Sequence, residues 1–279
     1  MTIRTLLLTA LAMLAFAGNS LLCRAALRDS QIDPASFTAL RLCAGALVLW
    51  LLLCLRGKSS SNSGSWRGAL ALFAYAASFS YAYLDLDAGA GALLLFGAVQ
   101  ISMITWGMLQ GERLHRGQTA GMLLAGAGLL VLLLPGTNTP PLSASLLMVL
   151  AGAAWGAYSI LGKGTPDSLA ATAGNFIRTL PIAVLLCLLA LNTLEWDSAG
   201  LIYALLSGGL ASGIGYAIWY AALPGLGAIQ AASVQLSVPL LTALAGSLLL
   251  GEPLTGKLLA AGLAILGGIA LVMRLRPST

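Results

Sequence analysis

The sequence predicts an all-α membrane protein of ten transmembrane helices, arranged as two inverted five-helix repeats. Three observations carry this prediction: composition, the spacing of charged residues, and an internal repeat. Of the 279 residues, 59% are hydrophobic and only 8% are charged. A soluble domain carries roughly 25% charged residues, so this chain lacks the polar side chains to cover a water-facing surface. A disordered chain is excluded by the same numbers. At about 20 residues per span, ten spans use ~200 residues and leave only short loops and tails. No room remains for a soluble domain.

The gaps between charges locate the spans. Nothing charged lies between Arg116 and Lys163, or between Asp197 and Glu252. Each gap holds two helices and a turn, with turn residues at Pro135–Pro141 in the first and Leu223–Gly227 in the second. The predicted spans are 4–27, 34–55, 66–84, 89–110, 117–134, 142–162, 169–190, 199–221, 228–250 and 257–274. Helices are expected rather than a β-barrel because the apolar runs are continuous, not alternating. The first span begins like a signal peptide, but its apolar run passes the Ala15-Phe16-Ala17 triplet and reaches Leu22. It reads as a retained helix.

Lysine and arginine placement sets the orientation. With the N-terminus in the cytoplasm, Arg4, Arg56, Lys58, Arg67, Arg113, Arg116, Lys163, Arg274 and Arg276 share that side. Arg24, Arg28 and Lys257 lie opposite, and Arg41 and Arg178 fall inside spans. The expected location is therefore the inner (plasma) membrane, multi-pass, with both termini cytoplasmic. The net charge of +5 follows from this bias and calls for no nucleic-acid partner.

Four matches recur at nearly one offset. Ala15–Leu22 resembles Ala154–Leu161, Arg41 pairs with Arg178, Tyr81–Leu84 with Tyr220–Leu223, and Gly111–Leu114 with Gly251–Leu254. The unit is five helices, which divides the chain into 1–138 and 139–279. An odd unit must enter the membrane from opposite sides in its two copies. That arrangement is shared by many secondary transporters.

These same residues carry a family resemblance. The aromatic-rich first span of each half, the Tyr-Ala-x-Leu stretch and Gly-Glu-x-Leu before the last span resemble the EamA-like branch of the drug/metabolite transporter superfamily. The resemblance covers the whole chain and is strongest through Leu248–Leu254. It implies ten helices, cytoplasmic ends and export of small metabolites. Within the branch, the chain is similar to bacterial amino acid exporters, including the aromatic amino acid type. Where a proline is usual in the fourth span, this chain has Val99-Gln100.

Several chemistries lack their residues. The Gly57-Lys58-Ser59 triplet has Leu52 where a P-loop needs glycine. Cys23, Cys43, Cys54 and Cys187 have no paired spacing and read as packing residues. The single histidine, His115, sits in a basic loop, so Ser212 has no histidine for a protease-like triad. No cofactor, metal or enzymatic activity is expected. Arg41 lies shallow enough to snorkel, and Arg178 lies deeper. The duplicated arginine pair favours structural ties to carbonyls over anion binding. Tyr83 and Trp66, at span ends, read as interfacial anchors.

Candidate substrate-binding residues are the uncharged polar and aromatic groups: Asn19, Tyr75, Tyr81, Gln100, Trp155, Tyr158, Tyr216 and Gln235. All but Tyr81, which belongs to the repeated Tyr-Ala-x-Leu stretch, fall near mid-depth. Trp155 and Tyr158, three apart, share a helix face. Transporter sites lie near the midplane between repeats, and such side chains also serve as polar glue between helices. The expected function is export of amino acid-like metabolites by alternating access, with membrane lipid as the surrounding partner and the protein a monomer or weak dimer. The alternatives are a multidrug exporter of cationic compounds and a non-transporting membrane subunit. Gly121, Gly126 and Gly128 in span 5, and Gly262, Gly267 and Gly268 in span 10, permit close helix contact within one chain or between copies.

Overall fold

The computed structural model describes residues 2–57, 63–111, 116–134, 140–163, 165–226 and 228–274. The turn expected at 135–141 lies mostly outside them, as do Lys58, Glu112 and His115. The described residues hold helices and no strand. The long helices are α1 (Ile3–Asp29), α2 (Pro34–Leu55), α3 (Trp66–Ala82), α4 (Ala88–Leu109), α5 (Arg116–Leu133), α6 (Leu142–Gly162) and α7 (Ser168–Leu189). Then come α8 (Ser198–Gly225), α9 (Ala228–Gln235 and Ser237–Leu250) and α10 (Gly256–Arg274). Eight of these helices are long and apolar enough to cross a membrane; α3 has only 17 residues and α9 is broken at Leu236.

Capping explains many of the starts. Asp33 accepts from the Ala35 and Ser36 amides at 2.8 and 3.0 Å, with Pro34 opening α2. Ser65 caps α3, Asp167 caps α7 and Asp197 caps α8 through the Gly68, Ala170 and Gly200 amides. Each side-chain oxygen satisfies an amide that the first turn leaves unpaired. α9 ends at Gly251, whose φ of 67° is left-handed and suits glycine.

Two spans depart from regular α-helix. In α8, Leu206–Ile214 is π-helical, a wide turn that often accompanies function. It contains Gly208, where an added Cβ would sit 2.0 Å from the Arg41 carbonyl oxygen. In α9 the break at Leu236 precedes Pro239, whose ring cannot continue the hydrogen-bond ladder behind it.

The packing pairs are specific. α5 lies along α10, α2 along α7, α6 against α3 and α4, and α1 against α8 and α9. α4 also touches α9, α3 touches α7, and α2 touches α8. The α5–α10 contact is backbone on backbone, with a Cβ on Gly121 falling 2.6 Å from the Gly268 oxygen. The small residues expected to serve either within the chain or between copies are thus used within it. Gly126 and Gly267 face open space instead. Of the cysteines read as packing residues, only Cys23 is buried, while Cys43 and Cys54 are exposed on the outside of α2.

Candidate functional site

Side chains from α1, α2, α3, α6, α7 and α8 converge in the middle of the bundle. Trp155 stands at the centre. Its ring stacks on Tyr216 at 5.4 Å and 17°, and lies 4.8 Å from Tyr75 and 5.4 Å from Tyr158. Tyr216 also meets Phe16 at 5.7 Å and Phe176 at 6.2 Å. Offset and tilted contacts at these distances suit the ring quadrupoles.

Polar groups tie this aromatic set together. Asn19 donates to the Tyr75 hydroxyl at 3.3 Å and accepts from Ser207 at 2.7 Å. Ser207 lies in the π-helical stretch, so that irregular turn meets α1 at the cluster. On the other side, Tyr158 donates to Thr172 at 3.3 Å, and Thr172 shares a 2.9 Å hydrogen bond with Tyr220. Asn175 donates to the Tyr158 hydroxyl at 3.4 Å and accepts from the Ser65 amide at 2.7 Å. The members are packed on one another, and Asn19, Tyr75, Tyr158 and Tyr216 are each buried.

Five of the eight sequence-derived candidates therefore come together: Asn19, Tyr75, Trp155, Tyr158 and Tyr216. The other three do not join them. Tyr81 stands in the last turn of α3, partly exposed, and makes no ring contact with the cluster. Gln100 on α4 and Gln235 beside the α9 break are partly exposed, outside the ring contacts. Thr172, Asn175, Phe176, Ser207, Tyr220 and Arg41 complete the cluster and were not singled out as site residues from sequence. A signal existed for part of this set. Thr172, Asn175 and Thr179 repeat at three and four residues, a polar stripe on an apolar helix.

The two in-span arginines separate. Arg178 donates to the carbonyls of Ser63 and Gly174 at 2.6 and 2.9 Å, a structural tie. Arg41 does not snorkel as its depth suggested. It is 3% exposed, and its guanidinium carbon lies 5.0, 5.7 and 6.0 Å from the rings of Phe79, Tyr75 and Phe37. The packing of α2 on α3 and α8 turns this face of α2 inward.

At one end of the bundle Arg24 gathers four groups. It donates to the Tyr83 and Leu84 carbonyls at 3.0 and 2.8 Å, to Glu252 at 3.2 Å and to Asp87 at 3.4 Å. Glu252 also accepts from the Ala88 amide at 2.8 Å. This glutamate thus serves the N-terminus of α4 rather than that of the next helix; Thr255 caps α10. Burial pushes the Glu252 carboxyl above its ordinary value, Asp87 adds to this, and the Ala88 amide and Arg24 oppose it. Tyr83, expected as an interfacial anchor, is fully enclosed because Gly91 leaves room for its ring. A cavity of about 170 Å³ lies beside this end, lined by Asp85, Asp87, Pro140, Pro141, Pro253 and Lys257 among others.

The arrangement offers ring faces and hydrogen-bonding groups. Among the described residues it holds no nucleophile–base pair, and they contain no group of three or more metal-ligating side chains. The profile of the EamA-like transporter family matches residues 3–134 and again residues 142–274. The chain belongs to the EamA-like transporter family. It is therefore a multi-pass membrane protein of a family of transporters rather than enzymes. An uncharacterized protein of Pseudomonas aeruginosa is 64% identical over 271 residues, covering 97% of this chain and 94% of that one. A solved crystal structure matches with a TM-score of 0.68 at 20% identity, over 97% of this chain and 98% of the other. That likeness concerns the fold alone.

Proposed function

We propose that this member of the family is a secondary carrier that exports small, amino acid-like metabolites across the inner membrane by alternating access. The observation that carries the reading is the central cluster. Its rings and hydrogen-bonding groups come from both halves of the chain, and they offer stacking surface with a few polar fixing points.

An inverted relation of 1–138 and 139–279 is part of the proposal. It is supported by the two family matches of five helices each. It is also supported by the packing pairs. Exchanging each helix for the one five later turns α1–α8 into α6–α3, α1–α9 into α6–α4 and α2–α8 into α7–α3, while α2–α7, α4–α9 and α5–α10 map onto themselves. The lysine and arginine bias supports cytoplasmic termini. Reporter fusions after residues 60, 114 and 276 are expected to report cytoplasm, and fusions after 31, 138 and 195 the opposite side. An external C-terminus overturns the inverted arrangement.

Transport is expected to be gradient-driven. In each described helix, Asp and Glu stand at an end or beyond it, which leaves no obvious proton carrier mid-membrane. The rival reading, export of flat cations, would be served by a carboxylate against the rings, whereas the charged group packed there is Arg41.

The test is counterflow in proteoliposomes with a panel of labelled amino acids. Exchange is expected without an imposed ion gradient. Trp155→Ala is expected to reduce it about tenfold, from lost stacking and burial, with reconstituted protein unchanged. Leu130→Ala, at a position 66% exposed on α5, is expected to leave it unaltered. Exchange of none of the panel overturns the reading.

A further inference from the structure

Resting on that transport reading, we infer that Arg41 is the group that recognises the substrate, and that the substrate is an organic carboxylate. A buried guanidinium is costly unless paired. Arg41 is only 3% exposed, and its Nη1 atom has no hydrogen-bond partner. No ion pair among the described residues involves it. Arg24 and Arg28 each have a carboxylate, and Arg178 has two carbonyls. Of these four, only Arg41 has a fully buried donor left without a partner.

Its surroundings say what would use that donor. The guanidinium sits over Tyr75 and Phe79, and Tyr75 leads directly to Trp155 and Asn19. The rings attract the cation through their faces, and its Nη1 is left without an acceptor. A guanidinium presents donors in a planar fork that matches a carboxylate with two parallel hydrogen bonds. Gly208 against the Arg41 backbone holds α2 close to the π-helical turn, and the rings of Phe37, Tyr75 and Phe79 stand around the guanidinium. A carboxylate on Arg41 would lay its organic part toward Tyr75 and Trp155. A cationic substrate without a carboxylate would meet the unpaired positive charge and be repelled.

Three probes share one ring and separate the charges: phenylalanine, phenylacetate and phenethylamine. Counterflow of each is measured in proteoliposomes holding the whole chain, for the wild type, Arg41→Gln and Arg41→Lys. The wild type is expected to exchange phenylalanine and phenylacetate at least tenfold better than phenethylamine. Arg41→Gln is expected to lower exchange of the two carboxylates between tenfold and a hundredfold, the scale of a lost charge-assisted pair. Arg41→Lys is expected to fall between, since it keeps the charge and loses the fork. The melting temperature of unliganded Arg41→Gln is expected to equal or exceed that of the wild type, because an unpaired buried charge has been removed. Equal exchange of phenethylamine, or wild-type carboxylate exchange by Arg41→Gln, overturns the role of Arg41 while leaving the transport reading intact. A lower melting temperature with unchanged probe preference assigns Arg41 to structure and overturns the proposal as well. Exchange of none of the probes, together with none of the amino acid panel, overturns both.

Discussion

Glu252→Ala is expected to destabilise the protein by about 3–5 kcal/mol, the usual effect of removing one partner from a buried ion pair. Glu252 is 7% exposed and joins three separate pieces of chain. Its carboxylate accepts from Arg24 on α1 and from the Ala88 amide that opens α4, and its own backbone joins α9 to α10. Alanine leaves the Arg24 guanidinium buried with the Tyr83 and Leu84 carbonyls and, as its one remaining carboxylate, the more distant Asp87, and leaves the Ala88 amide without its acceptor. Glu252→Gln keeps an acceptor for Ala88 and is expected to lose less. Thermal unfolding in one detergent reads both variants; an alanine variant within 1 kcal/mol of wild type contradicts the role given to this contact. A pH series adds a second check. The folded carboxyl holds its proton more tightly than an ordinary one of 4.5. As pH falls from the raised value toward 4.5, the folded state therefore binds more proton than the unfolded chain, and this residue adds stability. That gain is absent in Glu252→Gln.

Gly268→Val is expected to cost about 3 kcal/mol or more, at or beyond the upper end of ordinary overpacking. A Cβ at this position falls 2.4 Å from the Gly121 oxygen and 2.6 Å from the Ala125 nitrogen. Both are backbone atoms of α5 and cannot rotate aside. α5 and α10 must separate, and the loss of contact spreads along both helices. Gly267→Val, one residue away and facing open space, is expected to change stability by less than about 0.5 kcal/mol. Equal melting temperatures for the two variants would show that the two helices do not pack as described. Transport by surviving Gly268→Val protein is expected to keep its probe preference, because neither helix contributes to the central cluster.

The composition and spacing of this sequence already determined ten helices in a membrane. With 8% charged residues there is no water-soluble alternative, and in lipid only structures that satisfy their own backbone groups survive. The ends of the helices were legible to within a few residues because Asp33, Ser65, Asp167 and Asp197 are local caps whose effect needs no distant partner. Five members of the central cluster were legible for a related reason. A tyrosine, tryptophan or asparagine deep in an apolar run costs too much to face lipid and must turn inward.

Only the tertiary structure decided which inward-facing groups meet. Tyr81, Gln100 and Gln235 passed the same depth test as the clustered residues or shared their motif, yet the rotation of their helices carries them elsewhere. Ser207 reaches Asn19 through a nine-residue π-helical stretch, a change of helical pitch that no residue spacing announces. The two in-span arginines differed in sequence only by depth, which pointed Arg41 outward. In the fold, Arg178 finds the carbonyls of Ser63 and Gly174, whereas Arg41 is walled in by Phe37, Tyr75 and Phe79. Whether a buried charge is tied or waiting depends on what neighbouring helices bring to within about 3 Å of it, and that is a property of the packed bundle alone.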